Sequence, residues 1–383
     1  MTERGTDAVV KDRIYWLDNL RTFMILFVVL IHVGIVYESS GFGTLFWIVS
    51  DPSNSNLFEI LNLVIDIFVM SAMFFIAGYF TPPSMKSKNG WAFFKSKFKR
   101  LMIPWVIAVM TLIPFYKVIF LYSRNLPQEG WASYLHWSNG MFSQSWLWFL
   151  PVLFLFDILY LFLSRLNINI SKISLKAAIR FMFLMGLVYS FCMVIFGGQG
   201  WTKTILLDFQ NERLLVYFLV FLSGSLCYKL KTFESVGKSK KFYIALSSTA
   251  WIPVALYLSL IRYSMKHPGG YLISEIVDAL LIALTLLLSM LCLLYVTINT
   301  FRYFLNISGK TIKELNKNSY GVYILHVVVL GGIALPLLKT AIPSLLKYLI
   351  LTVSTFAACN LIVSFYRKFV KQRILRKFTE EKI

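Results

Sequence analysis

The chain has 383 residues, of which 58% are hydrophobic and only 15% are charged, and its formal net charge is +20. A soluble domain is nearer half apolar and a quarter charged, so this composition excludes an ordinary soluble protein. Because the apolar residues fall in runs long enough to cross a hydrocarbon core of roughly 30 Å, we predict an all-α polytopic membrane helical bundle.

About ten transmembrane helices are predicted, and the connections between them are too short to hold a further globular domain. We therefore interpret residues 14–365 as one membrane domain between an N-terminal segment at 1–13 and a basic tail at 366–383. In chain order the predicted spans are 17–37, 57–80, 101–122, 146–164, 178–196, 213–230, 242–262, 271–298, 319–338 and 345–365.

The positive charge is distributed unevenly between the two ends of the predicted bundle. Segments on the side of the N-terminus carry 29 of the 38 Lys and Arg residues, whereas segments on the other side carry seven. This asymmetry follows the positive-inside rule and predicts that both termini are cytoplasmic. The basic runs are interpreted as contacts to anionic membrane lipid rather than to nucleic acid, in a cell (plasma or inner) membrane.

The first span, IYWLDNLRTFMILFVVLIHVGIVY, contains ionisable residues. Arg21 and His32 are eleven residues apart, which places them on one face of a helix, and Asp18 lies within about 60° of that face. Ionisable groups at membrane depth usually face a protein or water-filled interior. An imidazole titrates near neutrality and suits a general base or nucleophile. Hydrogen bonding of His32 to a neighbouring helix and snorkelling of Arg21 to the inner surface are the alternatives.

Polar residues also occur in span 2 and before span 3. Asn62 and Asp66 are four residues apart and share a face, which suits either a substrate contact or hydrogen bonding between helices, and Gly78 permits close approach of another helix. Lys97 and Arg100 lie immediately before span 3. Two interpretations are open. The two cations line a cytoplasmic entrance that suits a phosphate-bearing donor, or they only reflect the positive charge expected on the cytoplasmic side of a span.

The outer loop 123–145 and the start of span 4 are rich in aromatic residues, among them Trp131, His136, Trp137 and Trp148. Such a cluster can stack on sugar faces, and it fits an aromatic belt at the membrane interface equally well. Loop 38–56, which contains Asp51, is rich in Ser, Asn and Gly and is predicted to be a flexible external connection.

The ninth span opens with NSYGVYILH, in which Ser319, Tyr323 and His326 share one face at offsets of four and seven. This pattern is typical of a polar cavity wall or of a simple packing face. The sequence has no Gly-rich P-loop, HExxH or GxSxG motif and no Cys and His spacing for a metal, so no metal is expected. Any reaction must depend on polar residues inside the membrane.

Five short motifs, taken together and in order, resemble those of the membrane-bound acyltransferase-3 family. The resemblance covers residues 13 to about 365 and is nearest to the glucan-succinylating and polysaccharide O-acetylating branches. The matching segments are WLDNLRTFMILFVVLIH with its Arg-x10-His spacing, FFIAGYF, KFKRLMIPW, WLWFLPVL and SYGVYILH.

The resemblance implies an integral membrane O-acyltransferase that moves an acetyl or succinyl group from cytoplasmic acyl-CoA to a hydroxyl of an extracytoplasmic glycan or glycolipid. It implies that His32 and Arg21 are the catalytic pair and that Asp18 orients Arg21. Lys97 and Arg100 would then bind the phosphates of CoA. Further candidates for substrate binding are Asp66, Ser319, Tyr323, His326 and Trp148. The sequence also allows a homo-oligomer.

The sequence departs from the family pattern at two positions. Ala77 stands where the family often has Ser, and Trp146 stands where it often has His. If that histidine contributes in relatives, this chain uses another group. No SGNH-type esterase domain is expected after the last span, so transfer must finish in the membrane domain or on a separate protein.

Two other functions fit the sequence. A polysaccharide exporter or lipid-linked-sugar flippase would share the bundle and the aromatic outer loop, but it needs a continuous polar track and no acyl-CoA. An acyltransferase with a small acceptor on the cytoplasmic side would share the site, although His32 lies deep for such an acceptor.

Overall fold

The computed structural model describes residues 14–40, 45–86, 88–135, 144–166, 174–234 and 240–370. The predicted N-terminal segment, most of the basic tail, and His136 and Trp137 of the outer loop lie outside these ranges. Over the described residues the chain is a bundle of helices, as predicted.

The helices are numbered here in chain order. The first six are α1 (Tyr15–Tyr37), α2 (Asn56–Asp66), α3 (Val69–Met85), α4 (Gly90–Lys97), α5 (Ile103–Ser123) and α6 (Phe149–Leu163). They are followed by α7 (Leu175–Ile195), α8 (Leu214–Lys229), α9 (Lys241–Thr249), α10 (Trp251–Lys266), α11 (Glu275–Phe304), α12 (Lys310–Leu338) and α13 (Ser344–Phe365). A two-stranded antiparallel hairpin, β1 (Trp201–Lys203) and β2 (Asp208–Gln210), precedes α8.

Within the described ranges, nine helical stretches are long and apolar enough to cross a membrane. Three of them join two α-helices: α2 and α3 meet at residues 67–68, a π-helical turn, Phe98–Met102, joins α4 to α5, and α9 meets α10 at Ala250. The predicted span 213–230 corresponds to α8, whose 16 residues extend only about 24 Å. Helix α6 is equally short, with 15 residues.

Helices α3 and α8 cross at a point where both backbones lack a side chain. A Cβ atom added to Gly78 would lie 1.9 Å from the carbonyl oxygen of Phe221, and one added to Gly224 would lie 2.1 Å from that of Phe75. The close approach predicted for Gly78 is therefore confirmed, and α8 is its partner.

The connection between α1 and α2 is packed into the protein. Trp47, Ile48, Val49 and Asp51 are at most 5% exposed. The carboxylate of Asp51 accepts a hydrogen bond from the ammonium of Lys347 on α13 at 2.8 Å, and both side chains are 1% exposed. We call residues 45–53 the inserted segment. The flexible connection expected from composition is, over residues 47–51, a largely buried and charge-paired one.

Candidate active site

A cavity of about 570 Å³ opens between α1, α3, α6 and α12. It lies at the end of the bundle where the charge distribution predicts the cytoplasm. Its polar lining residues are Asp18, Arg21, Ser84, Lys97, Arg100, Asp157, Asn316, Lys317, Ser319, Tyr320 and Tyr323. We call it the inner cavity.

Arg21 is held on the cavity wall by three groups. Its guanidinium lies 3.2 Å from the carboxylate of Asp18, one turn earlier on α1. It also donates to the hydroxyl of Ser319 at 3.2 Å and to the carbonyl oxygen of Asn316 at 3.1 Å, both on α12. The Asp18–Arg21 pairing expected from the sequence is therefore present, and Ser319 contacts it. The guanidinium is fixed in direction while still facing the cavity.

Lys97 forms an ion pair inside the inner cavity. Its ammonium lies 2.7 Å from the carboxylate of Asp157 on α6, which also accepts a hydrogen bond from the hydroxyl of Thr81 at 2.9 Å. Asp157 is buried, and its second carboxylate oxygen has no hydrogen-bond partner among the described residues. Because the charge of Lys97 is balanced within the protein, its contribution to binding a phosphate is smaller than the sequence suggests.

The mouth of the cavity carries further positive charge. Arg100 and Lys317 both line the cavity with exposed side chains. Arg100 lies in the π-helical turn, and its carbonyl oxygen accepts a hydrogen bond from the hydroxyl of Tyr320 at 2.7 Å. Single π-helical turns interrupt the regular backbone bonding of a helix and often occur at functional sites. Here the turn and α12 together place two cations at the mouth.

His32 and His326 form a hydrogen-bonded pair deeper in the membrane. Nε2 of His326 lies 2.8 Å from Nδ1 of His32, and Nδ1 of His326 lies 2.7 Å from the carbonyl oxygen of Tyr323. His326 is fully buried, whereas His32 is partly buried.

The carbonyl oxygen determines how protons are arranged in this pair. A carbonyl can only accept a hydrogen bond, so Nδ1 of His326 carries a proton. In a neutral His326, Nε2 is then an acceptor, and Nδ1 of His32 must be the donor. Nε2 of a neutral His32 then carries no proton, and its lone pair can accept one. This is the arrangement of a general base oriented by a second group.

The inserted segment covers His32. The indole of Trp47 stacks on the imidazole with ring centres 4.9 Å apart and planes 10° apart, and its Nε1–H donates to the carbonyl oxygen of His32 at 3.0 Å. The carbonyl oxygen of Trp47 accepts from Arg124 at 2.9 Å, and that of Phe46 accepts from the hydroxyl of Tyr116 at 2.5 Å. Contacts from the end of α5 therefore keep Trp47 against His32.

The structure does not bring Arg21 and His32 into contact. They are separated by eleven residues of α1, or about 16 Å along its axis. Neither histidine lines the inner cavity, whose deep end includes Tyr323 and Phe149. The Tyr323 ring lies 6.0 Å from that of His326, so one layer of side chains separates the cavity from the histidine pair.

The family model described as an acyltransferase domain, that of the acyltransferase-3 family, matches residues 14–364. The chain belongs to the acyltransferase-3 family. It is therefore a multi-pass membrane acyltransferase. No curated protein and no solved structure matches the chain significantly.

Three residues predicted for substrate binding in this acyltransferase, namely Asp66, Trp148 and His326, lie outside the inner cavity. Asp66 accepts a hydrogen bond from Arg213 at 2.6 Å and so joins α2 to the start of α8. This is the hydrogen bonding between helices that the sequence allowed as the alternative to a substrate contact. Trp148 stacks against Tyr217 with ring centres 6.3 Å apart. Arg21, Asp18, Lys97, Arg100, Ser319 and Tyr323 line the inner cavity, and His326 contacts His32.

Several residues of the candidate site were not predicted from the sequence. Asp157 is a single carboxylate in the apolar run FLPVLFLFDILYLFL, and an acidic residue at membrane depth is itself a signal of a functional or paired group. In the sequence, Lys317 is one of many basic residues and has no pattern that marks it. Trp47 carried no signal, because its importance depends on the folding of the inserted segment over α1.

Proposed function

We propose that this membrane acyltransferase moves an acetyl or succinyl group from cytoplasmic acyl-CoA to a hydroxyl of an extracytoplasmic glycan or glycolipid, in a plasma or inner membrane. The observation that carries the proposal is the His32–His326 pair, which leaves a lone pair on Nε2 of His32. A partly buried imidazole oriented in this way suits the removal of a proton from an acceptor hydroxyl.

The inner cavity supports acyl-CoA as the donor. CoA carries phosphates, and the mouth of the cavity presents Arg100 and Lys317, with Arg21 behind them. Guanidinium and ammonium groups form charge-assisted hydrogen bonds to phosphate. The deeper walls are mainly apolar and include Ile25, Met73 and Leu150, which suits the uncharged arm that carries the thioester.

These placements support the following transfer step. Nε2 of His32 takes the proton of the acceptor hydroxyl while the oxygen attacks the thioester carbonyl. The new C–O bond forms, the C–S bond breaks, and the thiolate of CoA leaves with the proton returned by His32. Movement of the Tyr323 side chain would bring the thioester within reach of His32. Arg21, oriented by Asp18, lies about 16 Å from His32 along α1 and would bind the negatively charged phosphates of the donor.

The experiment is acyl transfer by the purified protein in liposomes, with radiolabelled acetyl-CoA and succinyl-CoA and a neutral glucan as acceptor. We expect His32→Ala to lower transfer at least 100-fold, because general acid–base catalysis contributes about that much or more. His267→Ala is the matched control, since His267 is an exposed histidine at the end of α10.

Three results would overturn the proposal. Full acyl transfer by a folded His32→Ala variant would show that the reaction does not need the histidine pair. Failure to bind any acyl-CoA would favour an exporter or flippase. Acylated product found only on the inner face of the membrane would favour a cytoplasmic acceptor.

A further inference from the structure

Trp47 contacts His32 but lies on neither of the helices that carry the histidine pair. It belongs to the inserted segment, which follows α1, and its side chain is 5% exposed. The planes of the indole and the imidazole are 10° apart and their centres are 4.9 Å apart, so the indole covers one face of the imidazole. The imidazole of His32 therefore has His326 at its edge and Trp47 on its face.

Hydrogen bonds and a ring contact hold Trp47 in this position. Its Nε1–H donates to the carbonyl oxygen of His32 at 3.0 Å, and its own carbonyl oxygen accepts from Arg124 at 2.9 Å. The ring of Tyr116 on α5 meets the indole at a steep angle, with ring centres 6.2 Å apart. The indole is therefore fixed against His32 before a substrate binds.

The contacts of Trp47 lead back to the second histidine. The ring of Tyr116 also stacks with that of Trp146, at 5.8 Å between centres. Trp146 donates through Nε1 to the carbonyl oxygen of Ile324 on α12, at 3.0 Å, and so meets the helix that carries His326. The two imidazoles and these aromatic rings form one closed series of contacts, which fixes how the imidazoles lie relative to each other.

The proposed reaction creates a charge at this place. When His32 takes the proton of an acceptor hydroxyl it becomes an imidazolium, and a cation at membrane depth needs a partner. His326 and Trp47, which contact the imidazole, are uncharged, and Asp51 of the inserted segment is already paired with Lys347. The electron-rich face of an indole attracts a cation within about 6 Å of the ring centre, and more strongly where water is excluded.

We infer that Trp47 is a positioning residue for acyl transfer, which fixes the plane of the His32 imidazole and stabilises the imidazolium that forms on it. The inference rests on the proposed function, because it takes His32 as the general base. The lone pair of Nε2 lies in the plane of the imidazole, whereas the indole lies against its face. Trp47 therefore stabilises the charge without blocking the atom that reacts.

The test changes the electrons of the indole and keeps its shape. Tryptophans carrying one, two and three ring fluorines are introduced at position 47 alone by nonsense suppression, and kcat is measured in the liposome assay described above. Because each fluorine weakens the attraction of the ring for a cation, we expect kcat to fall stepwise, by about tenfold over the series. KM for acyl-CoA should stay unchanged, since Trp47 does not line the inner cavity. Fluorine makes Nε1–H a stronger donor, so a role through that hydrogen bond alone predicts no fall.

Two ordinary substitutions separate the flat face of the indole from its bulk. Trp47→Phe keeps an aromatic face and loses the Nε1–H, whereas Trp47→Leu keeps only apolar volume. We expect kcat to fall about threefold in Trp47→Phe and about 30-fold in Trp47→Leu, because a cation is attracted most strongly by indole, less by benzene and not by an alkyl group. Thermal unfolding shows whether Trp47→Leu is folded, and the fluorinated proteins decide the question if it is not.

Trp251→Leu is the control variant, because Trp251 at the start of α10 is 65% exposed, and it should transfer at the unmodified rate. The inference alone is overturned if fluorination leaves kcat unchanged while His32→Ala still abolishes transfer. If His32→Ala transfers at the full rate, or if the unmodified protein transfers no acyl group, the proposed function fails and the inference fails with it.

Discussion

The hydrogen bond from His32 to His326 gives two adjacent imidazoles different tasks. The carbonyl oxygen of Tyr323 orients His326, and His326 orients His32. In serine hydrolases a carboxylate holds the catalytic histidine in the same way. A neutral imidazole avoids placing a second charge at membrane depth, where it would need its own partner.

We expect His326→Ala to lower kcat by about 100-fold and to leave KM for acyl-CoA nearly unchanged, because His32 stays in place but loses the group that fixes its tautomer. Steady-state kinetics across pH measure this, since a positioning role should also change the pH profile of kcat. His326→Gln, which can still accept a hydrogen bond, should recover part of the rate. Equal loss in both variants with an unchanged pH profile would indicate a structural role only.

Asp208 in the hairpin gives a pH-dependent stability. Burial raises the pKa of this carboxyl to about 6, although it accepts a hydrogen bond from the backbone N–H of Thr204. The folded protein therefore binds the proton more tightly than the unfolded chain. The resulting stabilisation is fully present below about pH 4 and is lost as the pH rises through about 6.

We expect Asp208→Asn to raise the melting temperature at pH 7.5 and to change it little at pH 4.5, because Asn keeps the acceptor oxygen and carries no charge. Thermal unfolding in detergent across this range measures the effect. A melting temperature that depends on pH equally in both proteins would show that Asp208 is not the titrating group.

The Lys97–Asp157 pair lines the inner cavity, and we expect it also to stabilise the folded protein. Asp157→Asn should lower the free energy of unfolding by about 3 kcal/mol, because it leaves the ammonium of Lys97 buried without a counter-charge. The double variant Lys97→Met, Asp157→Leu should regain most of this loss. Chemical denaturation of the three proteins tests the expectation, and a double variant no more stable than Asp157→Asn would contradict it.

Between helices, the crossing of α3 and α8 leaves no room for a methyl group. Gly224→Ala should therefore destabilise the protein by about 2 kcal/mol, since the obstructing atom is a backbone carbonyl that cannot rotate away. Gly332→Ala on α12 is the control, because a Cβ there meets no atom within 4 Å and alanine favours a helix. Thermal unfolding of both variants measures the difference, and equal stability would contradict this packing.

The helices themselves were largely predictable, because each membrane span is a long apolar run that can be recognised locally. The breaks and short helices were not. The break after Asp66 is stabilised by Arg213, 147 residues later, whose guanidinium also contacts the Asp66 carbonyl oxygen at 3.4 Å. The length of α8 depends on the hairpin before it. Such features are determined by neighbours in space.

The contacts of the candidate site also depend on neighbours in space, so the sequence predicted them only in part. Periodicity correctly placed Asp18, Arg21 and Ser319 on cavity-facing sides of their helices. It could not show that His326 would contact His32 or that Lys97 would meet Asp157, because periodicity says which face a residue occupies and not which helix lies opposite. The ordered family motifs identified the membrane acyltransferase without locating these contacts.

For the whole molecule, the uneven basic charge makes a direct prediction about orientation. In a variant with the four native cysteines replaced, Lys203→Cys in the hairpin should react with a membrane-impermeant maleimide in intact cells. Lys317→Cys at the mouth of the inner cavity should react only after the membrane is permeabilised. Mass-tag gel shifts measure both, and the reverse pattern would invert the proposed direction of transfer.

The aromatic layer at the deep end of the inner cavity has a consequence for the cell. Phe149 lines the cavity, and its ring meets those of Phe74 at 4.8 Å, Tyr323 at 5.8 Å and Trp148 at 6.4 Å. A continuous water-filled passage at this point would let protons and ions leak and would dissipate the membrane potential. Closely packed rings prevent such a leak, so the transfer proposed above would keep the electrical insulation of the bilayer.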